Sequence, residues 1–186
     1  RAMGAGVEAE GKSLPDLPVA VSAHGGKHYF DDDQEWPDNL MATFDYGDYL
    51  LTYEMRLWSP YRMLDETEGA AVLGDDGFVV IGNRSWRAYD RAGKLLKEEA
   101  CADHTRVHAM NFVECMRRRE RPNADLETVG HPSRMICHLV NRDWRAGRTV
   151  RFAPQQRNFA DDRPANRFIT REEYRKPWLL PRIDEL

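Results

Sequence analysis

The amino-acid sequence predicts an α+β fold in which an open, mostly antiparallel sheet carries two main helices packed on one face. Three observations support this class: hairpin signals recur through the first half, helical periodicity follows from about residue 103, and the last stretch is polar and broken by prolines. We expect residues 1–152 to form the sheet domain and residues 153–186 to form an extended C-terminal tail that wraps over the surface. The 186 residues, 41% hydrophobic and 31% charged, are sufficient for one globular core.

Strand signals fill the first half of the chain. The segment "PVAVSAHGG" at 18–26 alternates apolar and small residues before a Gly-Gly break. Three later pairs of β-rich runs are each separated by a short segment with glycine, which is the pattern of β-hairpins joined in series and hence of an antiparallel sheet. The three turns are expected at 46–48, 75–77 and 91–94.

Two helices are predicted in the second half. The segment 103–120 places apolar residues at three-residue steps, and Asp103 is a suitable N-cap. A second helix is expected from Pro132, a favourable first helical residue, to Gly147, and a last strand from 148 to 152. The apolar positions of the first helix are Val107, Met110, Val113 and Met116.

Charge and composition exclude several classes of partner. A formal net charge of −4 gives no reason to expect binding to nucleic acid or to an anionic membrane surface. No apolar run approaches the length of a membrane span. The three cysteines form no C-x-x-C pair, so we expect reduced thiols.

Two short motifs resemble cofactor or metal sites, and the sequence around each argues against that role. The segment "GAGVEA" at 4–9 fits the dinucleotide fingerprint, but "EGKSLPDLP" follows it and cannot form the required helix. His104 and His108 have zinc-ligand spacing, yet Thr105 stands where a metalloprotease has glutamate. We therefore expect neither a cofactor site at 4–9 nor a metal site at His104 and His108.

The segment "GGKHYFDDDQEWPDN" at 25–39 concentrates polar chemistry between two predicted strands. It lacks the glycine and the bidentate glutamate of a calcium-binding EF-hand loop. Carboxylates between strands are common in solvated turns, whereas Trp36 beside acidic side chains also suits a sugar, because a ring face can stack on a sugar and carboxylates accept hydrogen bonds from hydroxyls. A turn, a sugar-binding rim and a metal site all remain open for this segment.

Four stretches together resemble the C-terminal half of the Gfo/Idh/MocA oxidoreductases, which are nicotinamide-dependent enzymes that act mainly on sugars and polyols. The resemblance covers essentially the whole chain, and the paired-helix stretch at 108–148 is the most extensive. The four are the opening "RAMGAG", the strand, loop and strand "SAHGGKHYFDDDQEWPDNLMATFDY", the helices "HAMNFVECMRRRERPNADLETVGHPSRMICHLVNRDWRAGR", and the ending "DDRPANRFITREEYRKPW".

This resemblance implies a division of labour. NAD or NADP would bind an N-terminal Rossmann domain absent from this chain, and the lysine and the Asp/His pair that transfer protons in the family would also lie outside it. The chain would supply no catalytic residue and would be inactive alone. It would bind a sugar or polyol and form a homo-oligomer through the sheet face. The residues expected to contact the substrate are His28, Asp33, Glu35, Trp36 and Arg56.

Two other functions fit the same architecture. One is redox-neutral glycoside cleavage by a hydrolase or lyase, in which bound NAD oxidises the sugar transiently and is regenerated. The other is a non-catalytic module that binds sugar or acts as a scaffold. The sequence distinguishes neither from net oxidation.

Overall fold

The computed structural model describes residues 17–101, 105–154, 156–167, 169 and 173–179. These residues divide into two compact units: one comprises the described residues within 58–130, and the other comprises those within 15–57 and 131–186. The "GAGVEA" segment, the expected N-cap Asp103 and the histidine His104 lie outside the described residues.

The unit formed by 15–57 and 131–186 contains a four-stranded antiparallel sheet, here named sheet I. Its strands are β1 (Ala20–Gly26), β2 (Asn39–Asp45), β3 (Leu50–Arg56) and β8 (Val150–Arg151), in the order β3-β2-β1-β8. Helix α2 (His131–Ala146) packs against β1, and the short helix α3 (Arg163–Asn166) follows in the C-terminal segment. The expected hairpin at 46–48 is present, and Gly47 has the positive φ that this turn requires.

The other unit contains sheet II, a second four-stranded antiparallel meander. Its strands are β4 (Gly69–Leu73), β5 (Gly77–Gly82), β6 (Ser85–Asp90) and β7 (Leu95–Ala100), in that order across the sheet. Helix α1 (Thr105–Arg118) and a π-helical turn (Leu126–Gly130) complete the unit. Both expected hairpin turns are found, at 74–76 and at 91–94.

The α+β class and the antiparallel arrangement are therefore confirmed, with the strands divided between two sheets. β3 and β4 are each an edge strand of their own sheet. Two-residue turns hold sequential strands in register as neighbours in one sheet. The connection 57–68 between β3 and β4 is longer than such a turn and does not impose this pairing. All three cysteines are unpaired, as expected. None of the described helices is both long and apolar enough to cross a membrane.

The main hydrophobic core lies between sheet I, helix α2 and the segment after β8. Alternate residues of β2 point into it, and Leu139 and Val140 of α2 meet them there. Phe159 and Ala165, which lie after the boundary expected at residue 152, also contribute to this core. The division into a sheet domain at 1–152 and a tail at 153–186 stays a prediction. The buried core residues are Val21, Ala23, Leu40, Ala42, Phe44, Leu139, Val140, Val150, Phe152, Phe159 and Ala165.

A buried carboxylate fixes α2 to sheet I. Asp143 lies one turn after Leu139, is only 1% exposed, and accepts hydrogen bonds from the backbone N–H groups of Ala23 and Val150, the latter at 3.0 Å. β1 and β8 pair only through residues 20–21 and 150–151. The Asp143 carboxylate therefore accepts hydrogen bonds from backbone N–H groups near the end of this short pairing. Burial raises the pKa of Asp143 above its ordinary value, against the opposing effect of the two backbone donors.

Replacing Asp143 with alanine is expected to lower the free energy of unfolding by about 2–4 kcal/mol, because two buried N–H groups lose their acceptor. Urea unfolding followed by circular dichroism measures this change. Asp161→Ala, at an exposed position, is the matched control and is expected to change stability by less than about 0.5 kcal/mol. Equal stabilities for the two variants would contradict the anchoring role of Asp143.

Candidate functional site

The polar loop at 27–38 joins β1 to β2, and its starting point is fixed by Gly25. A Cβ atom at Gly25 would lie 2.1 Å from the carbonyl oxygen of Asn39, so only glycine fits there. The close approach keeps β1 and β2 paired as far as Gly26 and Asn39. The loop therefore leaves and re-enters the sheet at adjacent positions.

Asp38 holds the first part of this loop. Its side chain is buried, with 1% of the residue exposed, and its carboxylate accepts hydrogen bonds from the backbone N–H groups of His28 at 3.0 Å, Tyr29 at 2.9 Å and Phe30 at 2.9 Å. Desolvation favours the neutral carboxyl, but the three donors prevail and hold the pKa of Asp38 below its ordinary value of 3.8. The charged carboxylate thus fixes the backbone over three successive residues.

Two residues at the C-terminal end of helix α2 contact Trp36. The Arg145 guanidinium lies 4.4 Å from the centre of the Trp36 ring, and the Trp144 ring centre lies 5.9 Å away. Trp144 donates its indole N–H to the carbonyl of Gly25 at 3.0 Å, while Arg145 lies 3.8 Å from the carboxylate of Glu35. A cation over an aromatic ring is attracted to its face, so Arg145 orients Trp36 and Glu35 together.

The middle of the loop is organised by Asp32. Lys27 donates to the Asp32 backbone carbonyl and, at 2.7 Å, to its carboxylate. The same carboxylate accepts the Gln34 backbone N–H at 3.0 Å, and the Gln34 side-chain amide donates to the Trp36 carbonyl at 3.0 Å. This chain of contacts connects the Asp38-held part of the loop to Trp36.

The structure brings together some of the residues predicted to contact substrate. Glu35 and Trp36 meet at Arg145, and the backbone of His28 is held by Asp38 while its side chain is exposed. Asp33 lies exposed on the same loop. Arg56 lies at the end of β3 opposite Asn39 and forms an ion pair with Glu54 at 2.7 Å. The role of all five residues in substrate binding stays a prediction.

Three residues of this site were not predicted from the sequence: Asp38, Trp144 and Arg145. A signal for Asp38 was present, because it lies in phase with Leu40 and the later buried positions of β2, at a spacing of two. That phase indicates burial rather than a solvated turn. No comparable signal exists for the other two, since their contacts join positions more than one hundred residues apart.

The strand pairing of the described residues differs from that of a βαβ unit that binds a nicotinamide dinucleotide. Such a unit needs parallel strands joined through a glycine-rich turn and a helix, whereas the strand pairs in both sheets are antiparallel. Within the same part of the chain, no three His, Cys, Asp or Glu side chains are grouped as metal ligands. The side chains of the loop offer hydrogen bonding, ring stacking and charge.

Comparison with protein families identifies the class of this chain. The model of the oxidoreductase family C-terminal α/β domain matches residues 88–180, which is half of the chain. The chain thus belongs to the Gfo/Idh/MocA oxidoreductase family and corresponds to its C-terminal domain. This confirms the resemblance seen in the sequence motifs. No curated protein matches the chain.

One solved structure supports the fold, and two others are similar at lower scores. A putative oxidoreductase from Klebsiella pneumoniae matches with a TM-score of 0.54 at 12% identity, over 76% of this chain and 46% of that one. The WlbA dehydrogenase from Bordetella pertussis, in complex with NADH and UDP-GlcNAcA, gives 0.46 at 12% identity over 74% and 39%. An oxidoreductase from Agrobacterium radiobacter, in complex with NAD+, L-tartaric acid and magnesium, gives 0.48 at 11% identity over 74% and 44%. The chain spans less than half the length of each of these proteins.

Replacing Asp38 with asparagine is expected to lower hydrogen-exchange protection of the His28, Tyr29 and Phe30 amides by about tenfold, because an amide accepts fewer hydrogen bonds than a carboxylate. Exchange followed by mass spectrometry measures this loss. Asp31→Asn, at an exposed loop position, is the matched control and is expected to leave the protection unchanged.

The same amides are expected to lose protection at acid pH. The pKa of Asp38 is lower in the folded state than its ordinary 3.8, so its contribution to the folded loop is complete above that value and is lost as pH falls through the folded pKa. Protection factors corrected for intrinsic exchange, measured between pH 7 and pH 2.5, test this dependence. A loop whose protection factors stay constant over that range would contradict the role assigned to the charged carboxylate.

Proposed function

We propose that this domain is the substrate-binding and oligomerisation half of an NAD(P)-dependent sugar or polyol oxidoreductase, with the loop 27–38 as its substrate-binding element. Family membership supports the oxidoreductase class. The sugar or polyol substrate is suggested by the composition of the loop, in which an aromatic ring and exposed carboxylates lie side by side.

The observation that carries this proposal is the fixed position of Trp36. Trp36 remains 37% exposed although Arg145 and Trp144 both contact its ring. Such a ring offers an apolar surface to the C–H groups of a sugar, and the neighbouring carboxylates of Glu35 and Asp33 accept hydrogen bonds from its hydroxyls. A side chain that is already ordered loses little conformational entropy when a ligand binds.

In this proposal the chain orients the sugar and does not perform the chemistry. When bound, NAD(P) supplies the acceptor or donor of the hydride that passes between a sugar carbon and the nicotinamide. Both the cofactor and the groups that transfer the proton belong to a nucleotide-binding domain outside these 186 residues. His28, Asp33, Glu35, Trp36 and Arg56 hold the substrate, and correct orientation alone contributes substantially to an enzymatic rate.

Self-association through sheet I is the second part of the proposal. Strand β3 of this sheet exposes several large side chains, and a contact through the sheet face would cover apolar surface there. A second copy of the chain would bury this surface. The exposed residues at this edge are Tyr49, Leu50, Leu51 and Tyr53.

Replacing Trp36 with alanine is expected to weaken sugar binding about tenfold, because the stacking surface is lost. Calorimetric titration of the chain with glucose, galactose, N-acetylglucosamine, inositol, cellobiose, maltose, lactose and chitobiose measures the affinities. Trp178→Ala removes an exposed tryptophan of the C-terminal segment and is expected to bind as the unmodified chain does. If the chain binds none of these ligands, the proposed site is contradicted. Equal affinities for the Trp36→Ala and Trp178→Ala variants would contradict it as well.

A further inference from the structure

Two further aromatic side chains are exposed on the substrate loop. Tyr29 is 66% exposed and Phe30 is 41% exposed. Their rings contact each other edge to face, with centroids 5.1 Å apart and an interplanar angle of 82°. Exposed apolar surface on a loop is typical of a ligand-binding position.

The buried carboxylate of Asp38 fixes this pair. Its oxygens accept the backbone N–H groups of both Tyr29 and Phe30 at 2.9 Å. Asp38 is 1% exposed, so these hydrogen bonds are shielded from competition by water. The loop thus uses a desolvated charge to hold the backbone of two residues whose side chains remain in solvent.

The Tyr29–Phe30 pair and Trp36 are held by different parts of the structure. Asp38 fixes the pair through backbone hydrogen bonds, whereas Trp36 is fixed by Trp144 and Arg145 of helix α2. The loop therefore carries two aromatic surfaces, one near each of its ends, and each is held by contacts of its own.

The stretch between the two surfaces is acidic. Residues 31–33 are three exposed aspartates, and Lys27 pairs with the second of them. Carboxylates accept hydrogen bonds from hydroxyl groups and repel anions, so this stretch suits a neutral polyhydroxy ligand that reaches from one aromatic surface to the other.

We infer that the loop forms two sugar subsites, one at Trp36 and one at the Tyr29–Phe30 pair, and that the substrate is a neutral glycoside with at least two rings rather than a free monosaccharide. This inference rests on the proposed function, since it assumes that the loop binds sugar. It adds Tyr29 and Phe30 to the substrate contacts and assigns to Asp38 the positioning of the second subsite.

The test compares each disaccharide with its own monosaccharide: cellobiose and maltose with glucose, lactose with galactose, and chitobiose with N-acetylglucosamine. Calorimetric titration of the 186-residue chain gives both affinities. At least one disaccharide is expected to bind about tenfold more tightly than its monosaccharide, because a second ring stacks on the second aromatic surface.

Phe30→Ala is expected to reduce the affinity for that disaccharide to the level of the monosaccharide without changing the monosaccharide affinity. Trp36→Ala is expected to weaken both ligands. Phe112→Ala removes an exposed phenylalanine from α1 and serves as the matched control, with no change in either affinity. Circular dichroism spectra verify that each variant is folded.

Two results would overturn the inference while leaving the proposed function intact: monosaccharides that bind as tightly as their disaccharides, or a Phe30→Ala variant that weakens both ligands equally. Absence of binding by every sugar would instead overturn the proposed function, and the two-subsite inference with it. The two failures are therefore distinguishable in one set of titrations.

Discussion

The arrangement of the loop 27–38 depends on the buried carboxylate of Asp143. Its hydrogen bonds to Ala23 and Val150 set the position of helix α2 along sheet I. Apolar contacts of Leu139 and Val140 also hold the helix, but such contacts are non-directional and tolerate sliding. A buried carboxyl group that accepts from two backbone donors favours one position, because any other would leave the buried carboxyl and two N–H groups unsatisfied.

The next two residues of α2 transmit this position to the loop. Trp144 reaches the carbonyl of Gly25 where the loop begins, and Arg145 lies over Trp36 near where it ends. Asp38 acts in the same way from β2, with a buried carboxylate that orders exposed residues. The polar loop is thus positioned by buried or partly buried groups of α2 and β2, and a binding site on a loop requires support of this kind.

Local signals explain how much of this fold was predictable. Glycine-containing turns with positive φ at Gly47 and Gly93 marked two hairpins, and the 3.6-residue apolar period marked the two long helices. The division into two sheets was not predictable, because it depends on which strand edges remain unpaired after the long 57–68 connection. The Trp36–Arg145 contact was not predictable either, because no local sequence pattern specifies which distant residue contacts a loop.

The central claim is that this chain carries the substrate side of an oxidoreductase and that the nicotinamide is bound elsewhere. The direct test is a titration of the 186-residue chain with NADH, monitored by quenching of its five tryptophans. The account predicts no saturable quenching, because the described strands are antiparallel and provide no dinucleotide-binding turn. Tight, saturable binding would place the nicotinamide site within these residues and would contradict the division of labour proposed here.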